Sequence, residues 1–230
     1  MAKKSHGTKI AAFVVVLLIA AVVGFGYFKQ SSKLSTEDSA VASPAPIDTS
    51  VLTMKPSDIY LGDVNALVTI VEYSSLSCPH CQQFHEKVLP DVEKEFITTG
   101  KAKLIIRHFP LNAPALKGAQ LVECNGGNGG SRSDFIKILF NMQEKWAFNE
   151  DYLKNLKQIA ATHGMDSAVF ESCMNNKDLE TKILNSRQEA SDKLRITSTP
   201  SFFVNGVQIK TAPTIEAVRE AINAAVDTAK

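Results

Sequence analysis

Two cysteines separated by two residues stand where a strand pattern gives way to a helix pattern. Residues 67–73 are rich in β-branched side chains and lack the spacing of an amphipathic helix, so they predict a largely buried strand. Cys78 and Cys81 follow, and residues 82–96 predict a helix that Pro90 kinks. The chain must therefore adopt a fold in which a strand delivers two thiols to a helix N-terminus.

The segments after this junction have a recognisable order. Residues 103–109 predict a second strand, which makes a parallel βαβ unit with a right-handed crossover. Residues 113–194 contain several helical patterns and no convincing strand, and Asn205-Gly206 separates two later strands as a hairpin turn would. A last helix is predicted over 214–228. This order predicts an α/β thioredoxin fold interrupted by an inserted helical domain.

Composition and charge exclude several classes of protein. The 230 residues are 44% hydrophobic and 21% charged, which is typical of a folded globular chain. The net charge is +1, and residues 43–230 alone are at −2, so no basic surface for nucleic acid is expected. The sequence contains no glycine-rich nucleotide loop, and neither a cofactor nor a resident metal is expected.

The N-terminal segment indicates export. Lys3, Lys4 and Lys9 precede an uncharged run, residues 10–28, which would span about 28 Å as a helix. Either a cleaved signal peptide or an uncleaved anchor fits residues 1–30, and both predict a periplasmic location in a bacterium. The remaining predicted segments are a flexible tether (31–57), the thioredoxin-like domain (58–112 and 195–230) and the helical insert (113–194).

The chemistry of Cys78-Pro79-His80-Cys81 follows from its position. A helix N-terminus stabilises an anion, and His80 adds a hydrogen-bond donor, so the pKa of Cys78 should lie well below that of a free thiol. A stable Cys78 thiolate makes the disulfide form a stronger oxidant. Cys81, one turn into the helix, should be more buried and less reactive.

The two cysteines fit other uses less well. A c-type haem site needs a histidine where Gln82 stands, so this site is excluded. Zinc binding with His85, one turn after Cys81, and a purely structural disulfide remain weaker alternatives. His85, His108 and His163 are otherwise interpreted as structural or exposed.

The remaining pair, Cys124 and Cys173, lies within the helical insert. In an oxidising compartment these two cysteines most simply form a structural disulfide. The alternative is two separate buried thiols that pack as small apolar side chains.

Three segments together resemble the DsbA-type thiol:disulfide oxidoreductases, which have a thioredoxin fold with a helical insert. They are VEYSSLSCPHC (71–81), RHFPL (107–111) and TPSFFVNG (199–206), and the match covers about residues 60–228. The resemblance implies a protein-disulfide oxidoreductase whose Cys78-Pro79-His80-Cys81 site is redox-active. The order of these motifs along the chain is more specific than any one of them alone.

The resemblance also assigns residues around the cysteines. Pro200 would be a cis-proline facing the disulfide, and the backbone of Thr199 would be free to pair with a bound substrate strand. An acidic residue at the position of Glu72 would lie under the site and relay a proton to and from Cys81. The alternative is that Glu72 points to solvent at a strand end.

The expected function is an exported, membrane-tethered, monomeric oxidase that introduces disulfides into unfolded or reduced exported proteins. The resemblance implies a quinone-linked membrane protein that reoxidises it. A reductase or isomerase is the alternative enzyme, because some relatives with those activities also carry a threonine at the position of Thr199. A non-catalytic holdase that binds peptides in the same groove is the alternative from another class.

Overall fold

The computed structural model describes residues 47–125 and 129–228, whose strands form one mixed sheet. Its spatial order is β1-β3-β2-β4-β5. β2 and β3 are parallel, whereas β1 pairs with β3, β4 with β2 and β5 with β4 in antiparallel fashion. The strands are β1 Ile59–Leu61, β2 Val68–Ser74, β3 Ala102–His108, β4 Ser201–Val204 and β5 Val207–Ile209.

Nine α-helices lie within the described ranges. The first helix ends at Lys87 and the second begins at Leu89, so the helix breaks at Val88 where the sequence predicted a kinked helix. Pro90 lies in the first turn of the second helix. A short π-helix, Glu93–Ile97, follows, and the turn at residues 98–101 leads to β3. The helices are α1 Pro79–Lys87, α2 Leu89–Val92, α3 Ala113–Cys124, α4 Gly129–Asn141, α5 Gln143–Trp146, α6 Tyr152–Thr162, α7 Ser167–Met174, α8 Lys177–Leu194 and α9 Ile215–Thr228.

The central strand β2 is buried almost throughout because helices cover both faces of the sheet. Ile70 belongs to a large apolar cluster that includes residues of α1, α4 and α9. Val71 and Tyr73 point the other way, into a smaller cluster with Leu194 of α8. Alternation along β2 therefore decides which side chains reach the α1 side, where Cys81 lies.

The thioredoxin-like α/β fold with a helical insert is confirmed. The chain leaves the sheet after β3, runs through α3 to α8, and returns at β4. Within the insert, α4 and α5 are separate helices because the chain is interrupted at Met142. The hairpin turn predicted at Asn205-Gly206 joins β4 to β5, and both of its residues have positive φ.

The chain differs from the prediction at the end of the proposed tether. Residues 49–52 form a 3-10 helix whose Val51 and Leu52 are buried, so residues 47–57 belong to the folded unit. β1 was also missed, because three residues are too few to show a periodicity. Hydrogen bonds from Arg107 of β3 to the carbonyl oxygens of Val51 and Thr53 hold this segment in place.

The predicted N-terminal export or anchor helix, residues 10–28, lies outside the described residues. Across 47–125 and 129–228, no helix is both long enough and apolar enough to cross a membrane.

Candidate active site

The two cysteines lie at the start of α1, where β2 delivers the chain. Cys78 is the N-cap residue with extended backbone, Pro79 occupies the first turn, and Cys81 is one turn further on. Cys78 is 7% exposed, Cys81 is fully buried, and Pro79 and His80 are exposed. Both cysteines are free thiols in this structure. A partner can therefore approach Cys78 but not Cys81.

The loop before β4 closes over Cys78. The Cys78 Sγ lies 3.3 Å from the backbone carbonyl oxygen of Thr199, to which the thiol form donates. The Thr199-Pro200 peptide bond is cis, and Thr199 is buried. A groove of about 560 Å³ runs from this loop past His80 and Phe84 to the segment before α9. The groove thus begins at the loop that contacts Cys78, and Thr199 and Pro200 form part of its wall.

The two thiols have opposite acidities. The Cys81 thiol donates to the Cys78 sulfur, and this hydrogen bond is the largest cause that lowers the pKa of Cys78, to about 5. The Thr199 side chain and the backbone N–H groups of Cys81 and His80 also lower this pKa, whereas burial opposes them. Burial, the hydrogen bond to Cys78 and the charge of Glu72 raise the pKa of Cys81 well above its ordinary value. Cys78 is the nucleophile and the better leaving group, and Cys81 holds its proton.

Glu72 is fully buried on the α1 side of β2. The alternative in which it points to solvent is therefore wrong, because the strand end is covered by α1. Its Oε2 lies 2.9 Å from Nε2 of His85, and its charge acts on Cys81. Its register partners, Ile106 in β3 and Phe202 in β4, flank it with apolar side chains.

His85 is a site residue that the sequence interpretation missed. It is 5% exposed, pairs with Glu72 and stacks on Phe140, with ring centroids 4.5 Å apart. The available signal was its spacing: His85 lies four residues after Cys81 and so shares its helix face. Without the sheet in place, nothing indicated that Glu72 would meet it.

Gln143 is a second missed residue, contributed by the insert. Its Nε2 donates to the carbonyl oxygens of Leu76 at 2.8 Å and Cys78 at 3.2 Å, and the side chain is fully buried. The insert thereby fixes the turn that carries Cys78. Gly118 permits this closeness, since a Cβ there would lie 2.9 Å from Trp146 and 3.2 Å from Leu76.

Cys124 and Cys173 form a disulfide, with a sulfur separation of 2.05 Å. The bond joins the end of α3 to α7 within the insert, and the alternative of two separate thiols does not describe this structure. Because α3 also packs on Leu76 through Gly118, the bond stiffens an element that touches the loop before Cys78.

Comparisons with known proteins agree with this geometry. A family model described as thioredoxin matches residues 54–224. A protein of Rickettsia prowazekii whose name describes it as a candidate protein-disulfide oxidoreductase is 30% identical over 86% of this chain and 73% of its own length. Disulfide bond formation protein D of Bacillus subtilis is 26% identical over 70% of this chain and 74% of its own length.

The crystal structure of alpha-DsbA1 from Wolbachia pipientis is similar in both fold and sequence. Its TM-score is 0.73 and its identity 33%, and the match covers 79% of this chain and 96% of that one. The match extends over both the thioredoxin-like part and the insert.

Proposed function

This chain belongs to the DsbA-like family of thioredoxin-fold protein-disulfide oxidoreductases, and on that premise we propose that it acts as an oxidase that introduces disulfide bonds into other exported proteins. The active form carries the Cys78–Cys81 disulfide. A thiolate of a reduced substrate attacks the Cys78 sulfur, and Cys81 departs. A second thiol of the same substrate then attacks the mixed disulfide, which releases the oxidised substrate and leaves both cysteines reduced.

The acidity of Cys78 carries this proposal. A pKa of about 5 makes Cys78 a good leaving group, so the second substrate thiol displaces it readily. The same acidity stabilises the reduced protein and makes the disulfide oxidising. Cys81 is buried, so an incoming thiolate meets Cys78 first.

The neighbouring residues have supporting roles in this scheme. Pro79 starts the helix, and the backbone N–H of His80 helps to stabilise the Cys78 thiolate. Thr199 and Pro200 form the wall along which an extended substrate segment pairs with the backbone. Glu72 exchanges a proton with Cys81.

The sequence supplies the rest of the proposal. The apolar run 10–28, preceded by lysines, directs export and tethers the chain to the inner membrane, so the site lies in the periplasm. The chain works there as a monomer. A quinone-linked membrane protein accepts the two electrons and regenerates the disulfide. Unfolded or reduced exported proteins are the substrates.

The direction of electron flow is the decisive test. The full chain is equilibrated in glutathione buffers, and the Cys78–Cys81 potential is determined. We expect a value near the oxidising end, about −120 mV as for DsbA itself, a member of this family. A value near that of thioredoxin, about −270 mV, would make the chain a reductase and overturn the proposal.

A transfer assay separates the enzyme from a holdase. Oxidised full chain is mixed with a reduced, unfolded protein that has two cysteines, and disulfide formation is followed by thiol trapping. We expect one substrate disulfide per oxidised chain, and none with Cys78→Ser. Equal effects of the wild type and Cys78→Ser on the substrate would favour the holdase.

A further inference from the structure

Glu72 and His85 form a buried pair with two unused polar atoms. Oε1 of Glu72 and Nδ1 of His85 have no hydrogen-bond partner within the part of the chain that the structure describes, and both side chains are almost fully buried. A buried ionisable group without full hydrogen bonding is costly, so its retention points to a role in proton transfer.

The surroundings restrict what this pair can exchange protons with. Phe84 and Phe140 contact the His85 ring, and Ile106 and Phe202 flank Glu72 in the sheet. Cys81, on the same helix as His85, is a titratable group on which the charge of Glu72 acts, and its thiol is hydrogen-bonded to Cys78. His108 of β3 lies two positions after Ile106 and so shares its face of the sheet, where it pairs with Glu123 at 3.5 Å.

We propose that His85 is a positioning residue that holds Glu72 in its ionised form, ready to take the proton of the Cys81 thiol. The proposal rests on the proposed function, since it concerns the same pair of cysteines. In this proposal the proton acceptor for Cys81 is the hydrogen-bonded pair of Glu72 and His85, and not the Glu72 carboxylate alone. In an apolar pocket an isolated carboxylate would stay protonated and could not act as a base.

The step balances in protons and electrons. The Cys81 thiol gives its proton to Glu72, and the Cys81 thiolate attacks Cys78 of a mixed disulfide. The bond from Cys78 to the bound thiol breaks, that thiol leaves as a thiolate, and the Cys78–Cys81 bond forms. When a substrate next attacks Cys78, Cys81 departs and recovers the proton from the pair. Only thiol–disulfide exchange occurs, so no outside oxidant is required in this step.

The test follows closure of the Cys78–Cys81 ring against pH. Reduced full chain is mixed with oxidised glutathione in a stopped-flow instrument between pH 5 and pH 9, and release of the second glutathione is measured. Cys81→Ser, which stops at the mixed disulfide, gives the rate of the first step. In the wild type, we expect the closing rate to rise and then level off once the pair is deprotonated.

The two variants should differ in kind. Glu72→Gln lacks the base, so its closing rate should rise about tenfold per pH unit without levelling off, because only the free Cys81 thiolate reacts. His85→Gln keeps a hydrogen-bond donor but no charge, so its curve should level off at a higher pH. For each pH unit by which the levelling-off point moves up, the closing rate at a pH below that point should fall about tenfold.

Controls separate this role from a structural one. His163→Gln changes an exposed histidine in another part of the fold and should reproduce the wild-type curve. A levelling-off in Glu72→Gln, or a His85→Gln curve that is slower by the same factor at every pH, would overturn the proposal. If His85→Gln does not fold, the near-isosteric Glu72→Gln still tests whether Glu72 is the base that His85 would position, and a levelling-off in that variant overturns the proposal.

The outcome is independent of the proposed direction of electron flow. A wild type that levels off as expected but has a thioredoxin-like potential would keep the proton-sharing pair and reject the oxidase. A wild type with an oxidising potential whose closing rate rises tenfold per pH unit throughout would keep the oxidase and reject the proton-sharing pair.

Discussion

At the residue scale, two thiols three positions apart differ in acidity because one lies at the N-terminus of α1 and the other is buried one turn further on. Cys78 caps α1 and meets backbone N–H groups, whereas Cys81 lies beneath it among apolar side chains and near Glu72. The Cys78 thiol is therefore acidic, whereas the Cys81 thiol is only weakly acidic.

The acidity of Cys78 should be visible in the pH dependence of the reduction potential. Below pH 5, reduction takes up two protons, and the potential should fall by about 59 mV per pH unit. Above pH 5, Cys78 stays ionised and only Cys81 binds a proton, so the slope should halve to about 30 mV. Equilibration with glutathione from pH 4 to pH 8 measures both slopes.

An unbroken slope of about 59 mV through pH 7 would mean that Cys78 is not acidic. Alkylation provides an independent check on the same group. Its rate at Cys78 should reach half its maximum near pH 5, and Cys78→Ser should lose this reaction.

At the scale of elements, Arg107 of β3 attaches the N-terminal segment to the sheet. Its guanidinium donates to both carboxylate oxygens of Asp58, at 3.0 and 2.8 Å, and to the carbonyl oxygens of Val51 and Thr53, at 2.6 and 2.9 Å. It also contacts the Tyr73 hydroxyl at 3.2 Å. One side chain therefore satisfies the buried polar groups of a segment that makes few backbone bonds to the sheet.

Arg107→Leu should destabilise the fold strongly. It leaves the buried Asp58 carboxylate without its partner, which costs about 3–5 kcal/mol. Denaturant unfolding measures the free-energy change. Arg219→Leu is the matched control, because its bidentate pair with Glu95 is exposed and should be worth less than about 1 kcal/mol. Equal losses in the two variants would contradict this account of Arg107.

At the scale of the whole molecule, the acidity of one thiol couples the redox state to stability. In the reduced protein, the pKa of Cys78 falls from 9.0 when unfolded to about 5 when folded. Because the pKa of Cys78 is lowered on folding, its ionisation stabilises the fold, and this stabilisation is complete above pH 9. The stabilisation declines as the pH falls from 9 and is lost as the pH passes through about 5. The oxidised protein has no such thiol.

The reduced form should therefore gain stability relative to the oxidised form as the pH rises from 5 to 8. The gain should approach about 1.4 kcal/mol per pH unit. Denaturant unfolding of both forms measures it, with the Cys124–Cys173 bond verified by mass spectrometry. Curves whose difference does not change with pH would show that the Cys78 thiolate does not stabilise the fold.

The sequence by itself determined the parts of this protein that depend on local order. Strand and helix periodicity, the Asn205-Gly206 turn and the cysteine spacing identified the fold, the insert and the two active thiols. These features depend on neighbours within a few positions, which the sequence displays directly. The resemblance of three separated motifs then identified the family.

Only the tertiary structure decided which distant residues surround those thiols. Glu72 meets His85, Gln143 of the insert supports the Cys78 turn, and Arg107 holds residues 47–57 on the sheet. Each contact joins side chains from different elements, whose approach depends on sheet register and on how the helices pack. Burial likewise arises only on folding, and it is burial that sets the high pKa of Cys81 and removes Glu72 from solvent.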